Sequence, residues 1–163
     1  MRNLVKLALA AIATAGVTAT GVTVASAAPA AASGTEYIQV MSASVTPGSA
    51  SAIARGVFTA AGQARLGDAR AGTITFPGGT LVLSHRPAKG SSRFYPAACL
   101  SVIGQSGSYR IVRGTGRYAG ISGHGTYQLS LEMVGARVHG ACSSARPPVA
   151  QQELLRLAGP VRL

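Results

Sequence analysis

Apolar and polar residues alternate along most of this chain. Tyr127, Leu129, Leu131 and Met133 alternate with Gln128, Ser130 and Glu132, the period of a half-buried β-strand. Tyr109 and Ile111 alternate with Ser108 and Arg110, and Leu81 and Leu83 with Thr80 and Ser84. Ile38 and Val40 face away from Tyr37, Gln39 and Met41. From Ala52 to Ala60 the alternation is broken at Gly56, where a bulge or bend is expected. Pro47-Gly48-Ser49, Pro77-Gly78-Gly79, Lys89 to Ser92, Ser106-Gly107 and Arg146-Pro147-Pro148 read as turns or loops. Strands are therefore expected over 36–43, 51–60, 71–76, 79–86, 97–104, 107–113, 122–134, 136–142 and 150–162. The last of these has helix formers from Gln151 to Ala158, but Gly159-Pro160 cuts them off and Val161 continues extended. The pattern predicts an all-β protein, an antiparallel closed barrel of about eight strands, with a β-sandwich as the alternative.

The first residues carry a different pattern. Arg2 and Lys6 precede an uncharged stretch rich in Ala, Val, Thr and Gly, and Ala25-Ser26-Ala27 offers a small-x-small cleavage site. This predicts a signal peptide over 1–27, a flexible lead over 28–34 and one barrel domain over 35–163, secreted by the general export route. A retained membrane anchor is the rival, disfavoured by the shortage of Leu and Ile. Once cleaved, the chain is not expected to span a membrane.

Cleavage removes two cations and no acid, so the formal charge falls from +11 to +9 and Lys89 becomes the one lysine among arginines. The cations are dispersed apart from Arg110, Arg113 and Arg117, and no basic run is interleaved with aromatics. Nucleic acid is therefore not an expected partner. Weak affinity for anionic cell-wall polymers or phospholipid headgroups needs only net charge.

Residues Gly114 to Tyr127 form the one apparent motif. Gly114-x-Gly116-x-x-Ala119 has the spacing of a dinucleotide loop after a strand. Such a loop must open a helix whose N-terminus faces the phosphates. Gly120, Gly123 and Gly125 oppose that helix, and a strand pattern follows, so the run reads as a tight connection between two strands.

Catalytic groups are sparse. The acids after the leader are Glu36, Asp68, Glu132 and Glu153, well separated; Glu36 and Glu153 lie near strand starts, as surface residues do. No Gly-x-Ser-x-Gly elbow occurs, and no catalytic residue is assigned. His85 shares a face with Leu81 and Leu83 and is expected to point inward, either as a hydrogen-bonded core residue or as a site residue. Tyr109 and Tyr127 are expected in the core with their hydroxyls bonded at a rim, or as the lining of a ligand cavity. Tyr109, Tyr127 and His85 are thus the candidate ligand-binding residues. Cys99 and Cys142 in an exported chain predict a disulfide closing about 44 residues, with two buried thiols as the alternative. Two Cys and three scattered His make no metal site, and no cofactor is expected.

The run Gly114-Thr-Gly-Arg-Tyr-Ala-Gly-Ile-Ser-Gly-His-Gly-Thr-Tyr127 resembles the glycine-rich hairpin of the allene oxide cyclase and dirigent group of β-barrels. It also looks like small secreted actinomycete barrel proteins of unknown function. Gly56-Val57-Phe58, Phe76 to Thr80, Cys99-Leu100 and Gly159-Pro160-Val161 fit the same layout. The resemblance implies an eight-stranded antiparallel barrel with a hydrophobic interior, in which the plant enzymes cyclise or orient hydrophobic substrates. None of their catalytic acids maps onto a matching position here. The expected protein is thus a monomeric or homodimeric barrel holding a small hydrophobic molecule. The alternatives are an isomerase or cyclase of the allene oxide cyclase type and a surface-associated structural protein using its basic charge.

Overall fold

The computed structural model of the protein describes residues 31–43, 50–66 and 71–163. The expected signal peptide, the first three residues of the expected lead, the Pro47-Gly48-Ser49 turn and Asp68 lie outside the described residues. Eight strands close a barrel in which every neighbouring pair is antiparallel. They are β1 (Ser33–Ser42), β2 (Ala50–Arg55), β3 (Ala60–Leu66), β4 (Ala71–Phe76), β5 (Gly79–Tyr95), β6 (Leu100–Gly114), β7 (Ser122–Val134) and β10 (Ala150–Arg162). Around the barrel the order is β1, β10, β7, β6, β5, β4, β3, β2. A hairpin of β8 (Arg137–Val138) and β9 (Ala141–Cys142) stands apart from it. Among the described residues no helix is long and apolar enough to cross a membrane.

Inward positions follow the alternation. Ile38 and Val40 on β1, Ile74 and Phe76 on β4, Leu81 and Leu83 on β5, and Tyr109 and Ile111 on β6 are buried. Ala50, Ala52, Ala54 and Ala64 give β2 and β3 small inward side chains beside the large ones of β1, β4, β5 and β6.

Four expectations change. First, Ser33 and Gly34 are not a lead: they pair with Arg162 and Val161 as the start of β1. Second, the strand expected over 51–60 ends at Arg55, and a separate β3 begins at Ala60. Gly56 takes φ +142°, a conformation reserved for glycine, and the turn drives Phe58 into the interior. Third, neither Lys89–Ser92 nor Ser106-Gly107 is a turn. Tyr95 to Arg86 pair continuously with Leu100 to Ser108, apart from a bulge between Pro87 and Lys89. The polar stretch of β5 is polar because it extends past β4, bonds only to β6 and is exposed from Arg86 to Tyr95. Gly107 is a packing residue, since a Cβ there would lie 2.8 Å from Cε1 of Tyr127. Fourth, the strand expected over 136–142 is the small β8–β9 hairpin, turned at His139 and Gly140, both with positive φ.

The disulfide forms between Cys99 and Cys142. It ties the tip of the β5–β6 hairpin, through the short 3-10 turn Pro96–Ala98, to β9. The final segment is strand throughout, paired to β1 on one side and β7 on the other.

Candidate functional site

The two ends of the barrel are built differently. At one end the glycine run makes the β6–β7 connection through a 3-10 turn at Gly116–Tyr118. Gly116 has φ +60°, and a Cβ there would run into the Gly78 carbonyl of the β4–β5 turn. The Arg117 amide donates to that carbonyl at 2.8 Å, locking the two hairpins together. The turn thereby swings Tyr118 inward. Its ring centroid lies 5.0 Å from that of Phe58 and 6.0 Å from that of Phe76, and the two Phe are 5.7 Å apart. These rings plug the end. No helix follows the glycines, so the run offers no phosphate site.

At the other end, where β4 begins and β5, β6, β7 and β10 run on past the rim, the interior holds a cavity of about 310 Å³. Its apolar walls are Leu83, Leu129, Leu155, Leu157 and Pro87. Its polar groups are His85, Gln105, Tyr109, Tyr127 and Glu153. The register places them. His85 pairs with Tyr109, and Tyr127 pairs with Gly107 on one side and Leu157 on the other. Gln105 pairs with Leu129, and Glu153 pairs with Leu131 one step further out. Gly107 leaves the space that the Tyr127 ring occupies. Tyr127 donates its hydroxyl to Oε1 of Gln105 at 2.8 Å and meets the His85 ring edge-on at 5.4 Å.

All three candidates from the sequence, His85, Tyr109 and Tyr127, therefore line one cavity. His124 is exposed outside and His139 sits on the β8–β9 turn, so neither joins them. The rim partner expected for each tyrosine exists for Tyr127 alone; the buried Tyr109 hydroxyl has no hydrogen-bond partner among the described residues.

Sequence reasoning missed Gln105, Glu153 and Glu36. Reading Ser106-Gly107 as a turn hid that Gln105 keeps the parity of Tyr109. Glu153 shares the inward parity of Leu155 and Leu157, and Glu36 that of Ile38 and Val40, so neither acid belongs to the outer surface. Burial raises the Glu153 carboxyl above its usual range. Glu36 is fully sealed, in the register row of Gly159 beneath the cavity. Its Oε2 accepts the Phe58 amide at 3.1 Å, while Oε1 has no hydrogen-bond partner among the described residues. Burial raises its pKa, against the lowering pull of the Phe58 amide and those of Val57, Arg55 and Tyr37. Burial also raises the Tyr109 phenol, and the Glu36 charge raises it further. Among the described residues no cluster of His, Cys, Asp or Glu can hold a metal ion.

A cavity with aliphatic walls and a few oriented polar groups suits an apolar molecule with one polar end. No family model, curated protein or solved structure matches this chain.

Proposed function

We propose that the protein is a secreted barrel that binds a small, largely hydrophobic molecule in its open end. The observation that carries this reading is the cavity of about 310 Å³, bounded by leucines and by the Tyr127–Gln105–His85 group. That volume is at the lower end of small-molecule sites, roughly 300–1,000 Å³. The aromatic plug adds weight, because three packed rings close one end of the barrel while the side chains at the other leave space between them. The resemblance of Gly114 to Tyr127 to the allene oxide cyclase and dirigent group points the same way. The leader pattern at Arg2 to Ala27 motivates secretion, and the disulfide suits an oxidising compartment.

Mass spectrometry of the protein recovered from culture medium tests both parts. The expected chain begins at Ala28, and native spectra carry a bound apolar molecule that Leu155→Trp, which fills the cavity, removes. A wild-type protein that reaches the medium empty and binds no apolar fluorophore defeats the cavity reading. A chain found in the cytoplasm with free thiols defeats secretion.

A second reading, an isomerase or cyclase, is favoured by one observation: His85 and the raised carboxyl of Glu153 share the cavity. Under that reading Glu153→Gln keeps ligand binding and loses turnover; under simple binding no turnover exists to lose.

A further inference from the structure

The outer wall of the barrel carries a pattern independent of the cavity. Directly paired residues of an antiparallel ladder share a face, so outward rows can be followed from strand to strand. One row contains Arg55, Tyr37, Thr126, Ser108 and Arg86, running from β2 through β1, β10, β7 and β6 to β5. The row beside it holds Gln39, Arg156, Gln128 and Lys89. On the other side Arg110 pairs with Ser84 and His124. The five cations Arg55, Arg86, Lys89, Arg110 and Arg156 are all exposed.

The acids avoid these rows. Glu36 is sealed, Glu153 lines the cavity, and Glu132 pairs with Val102 in the row of Arg93, away from the girdle. Among the described residues no carboxylate side chain stands on the three rows, and the positions between cations are largely hydroxyls and amides. The surface has two grooves on this band. One is bounded by Tyr37, Arg55, Gln128 and Arg156, the other by Ser84, Arg86, Ser108 and Arg110. Six adjacent strands at ~4.8 Å spacing span roughly 24 Å, far longer than one anionic group. Guanidinium forks match phosphate oxygens bidentately, and the hydroxyls and amides supply further donors.

We propose that this girdle binds an extended polyanion of repeating phosphate groups without bases. Tyr37 and His124 are the aromatic side chains on the rows, too few and too far apart to stack successive bases, so nucleobases are not selected.

The test uses the purified protein and linear polyphosphate of defined length. Five contacts at a slope of about −0.7 each predict an affinity loss of about 100-fold between roughly 50 and 200 mM salt. The double variant Arg86→Ala/Arg110→Ala is expected to reduce that slope to about three-fifths and to weaken binding at least roughly tenfold. Arg65→Ala/Arg146→Ala, which removes the same charge from β3 and the loop after β9, is expected to stay within about twofold, because contacts rather than net charge set the affinity. Leu155→Trp leaves polyphosphate binding intact, which separates this site from the cavity. Equal losses in both double variants reduce the effect to net charge and overturn the proposal. So does single-stranded DNA of matched charge binding tenfold more tightly than polyphosphate, as does binding to phosphatidylglycerol vesicles alone.

Discussion

The plugged and open ends of the barrel share the same strands and the same alternation, yet they use their interior differently. At the plugged end Phe58 and Tyr118, from two separate connections, meet Phe76 from the end of β4 in the centre. At the open end the inward residues are leucines, Tyr109, Tyr127, a histidine, a glutamine and a glutamate, which leave space between them. Under the proposed function, stability and binding are thereby divided along the barrel axis. Substitutions should differ in cost according to the end they strike.

The largest effect is expected at the plug. Tyr118 is 1% exposed and touches both phenylalanines, so Tyr118→Ala leaves a cavity that rigid glycine turns cannot collapse. The expected loss is about 3–5 kcal/mol, read from urea unfolding. Leu155→Ala at the open end should cost about 2 kcal/mol or less, because part of its side chain already faces empty space. Equal costs would abolish the distinction between the ends.

The disulfide comes next. Chain entropy for a loop of about 44 residues sets a ceiling near 4 kcal/mol. The bond clips the extension beyond the open rim rather than the barrel wall, so replacing both Cys99 and Cys142 by Ser should cost less than that ceiling. Amide exchange should rise in Tyr95 to Ile103 and stay low in the plug. Uniform loosening would instead make the extension part of one cooperative barrel.

The barrel was legible in the sequence because alternation survives wherever a wall has one wet and one dry face, as in Tyr127 to Met133. The cavity lining was legible where it obeyed the same rule, through His85, Tyr109 and Tyr127. It failed where local chemistry outweighed parity. Ser106-Gly107 has turn composition, but Gly107 answers to the Tyr127 ring across the ladder, a contact no local window contains. Ala60 to Leu66 is too rich in small residues to look like a strand, and its pairing with β2 and β4 supplies what propensity lacks. Glu36 and Glu153 are acids at inward positions, where strand parity with Ile38 and Leu155 prevails over their polar character.

Those two acids give the finest comparison of the ends. Burial raises both pKa values above the usual 4.5. For a raised carboxyl the unfolded chain releases its proton first as pH climbs. Between the unfolded and folded pKa the native state then holds more protons, so stability falls with rising pH through that window and levels off above it. The wild-type protein should therefore lose stability as pH rises from about 4.5, and Glu36→Gln or Glu153→Gln should each remove part of the slope. Added apolar ligand should steepen the Glu153 part by displacing water from the cavity, whereas Glu36, already sealed from solvent, should keep its share. Denaturation midpoints across pH for the two variants, with and without ligand, measure this. A stability that rises with pH through the window would mean that the backbone amides around Glu36 outweigh its burial.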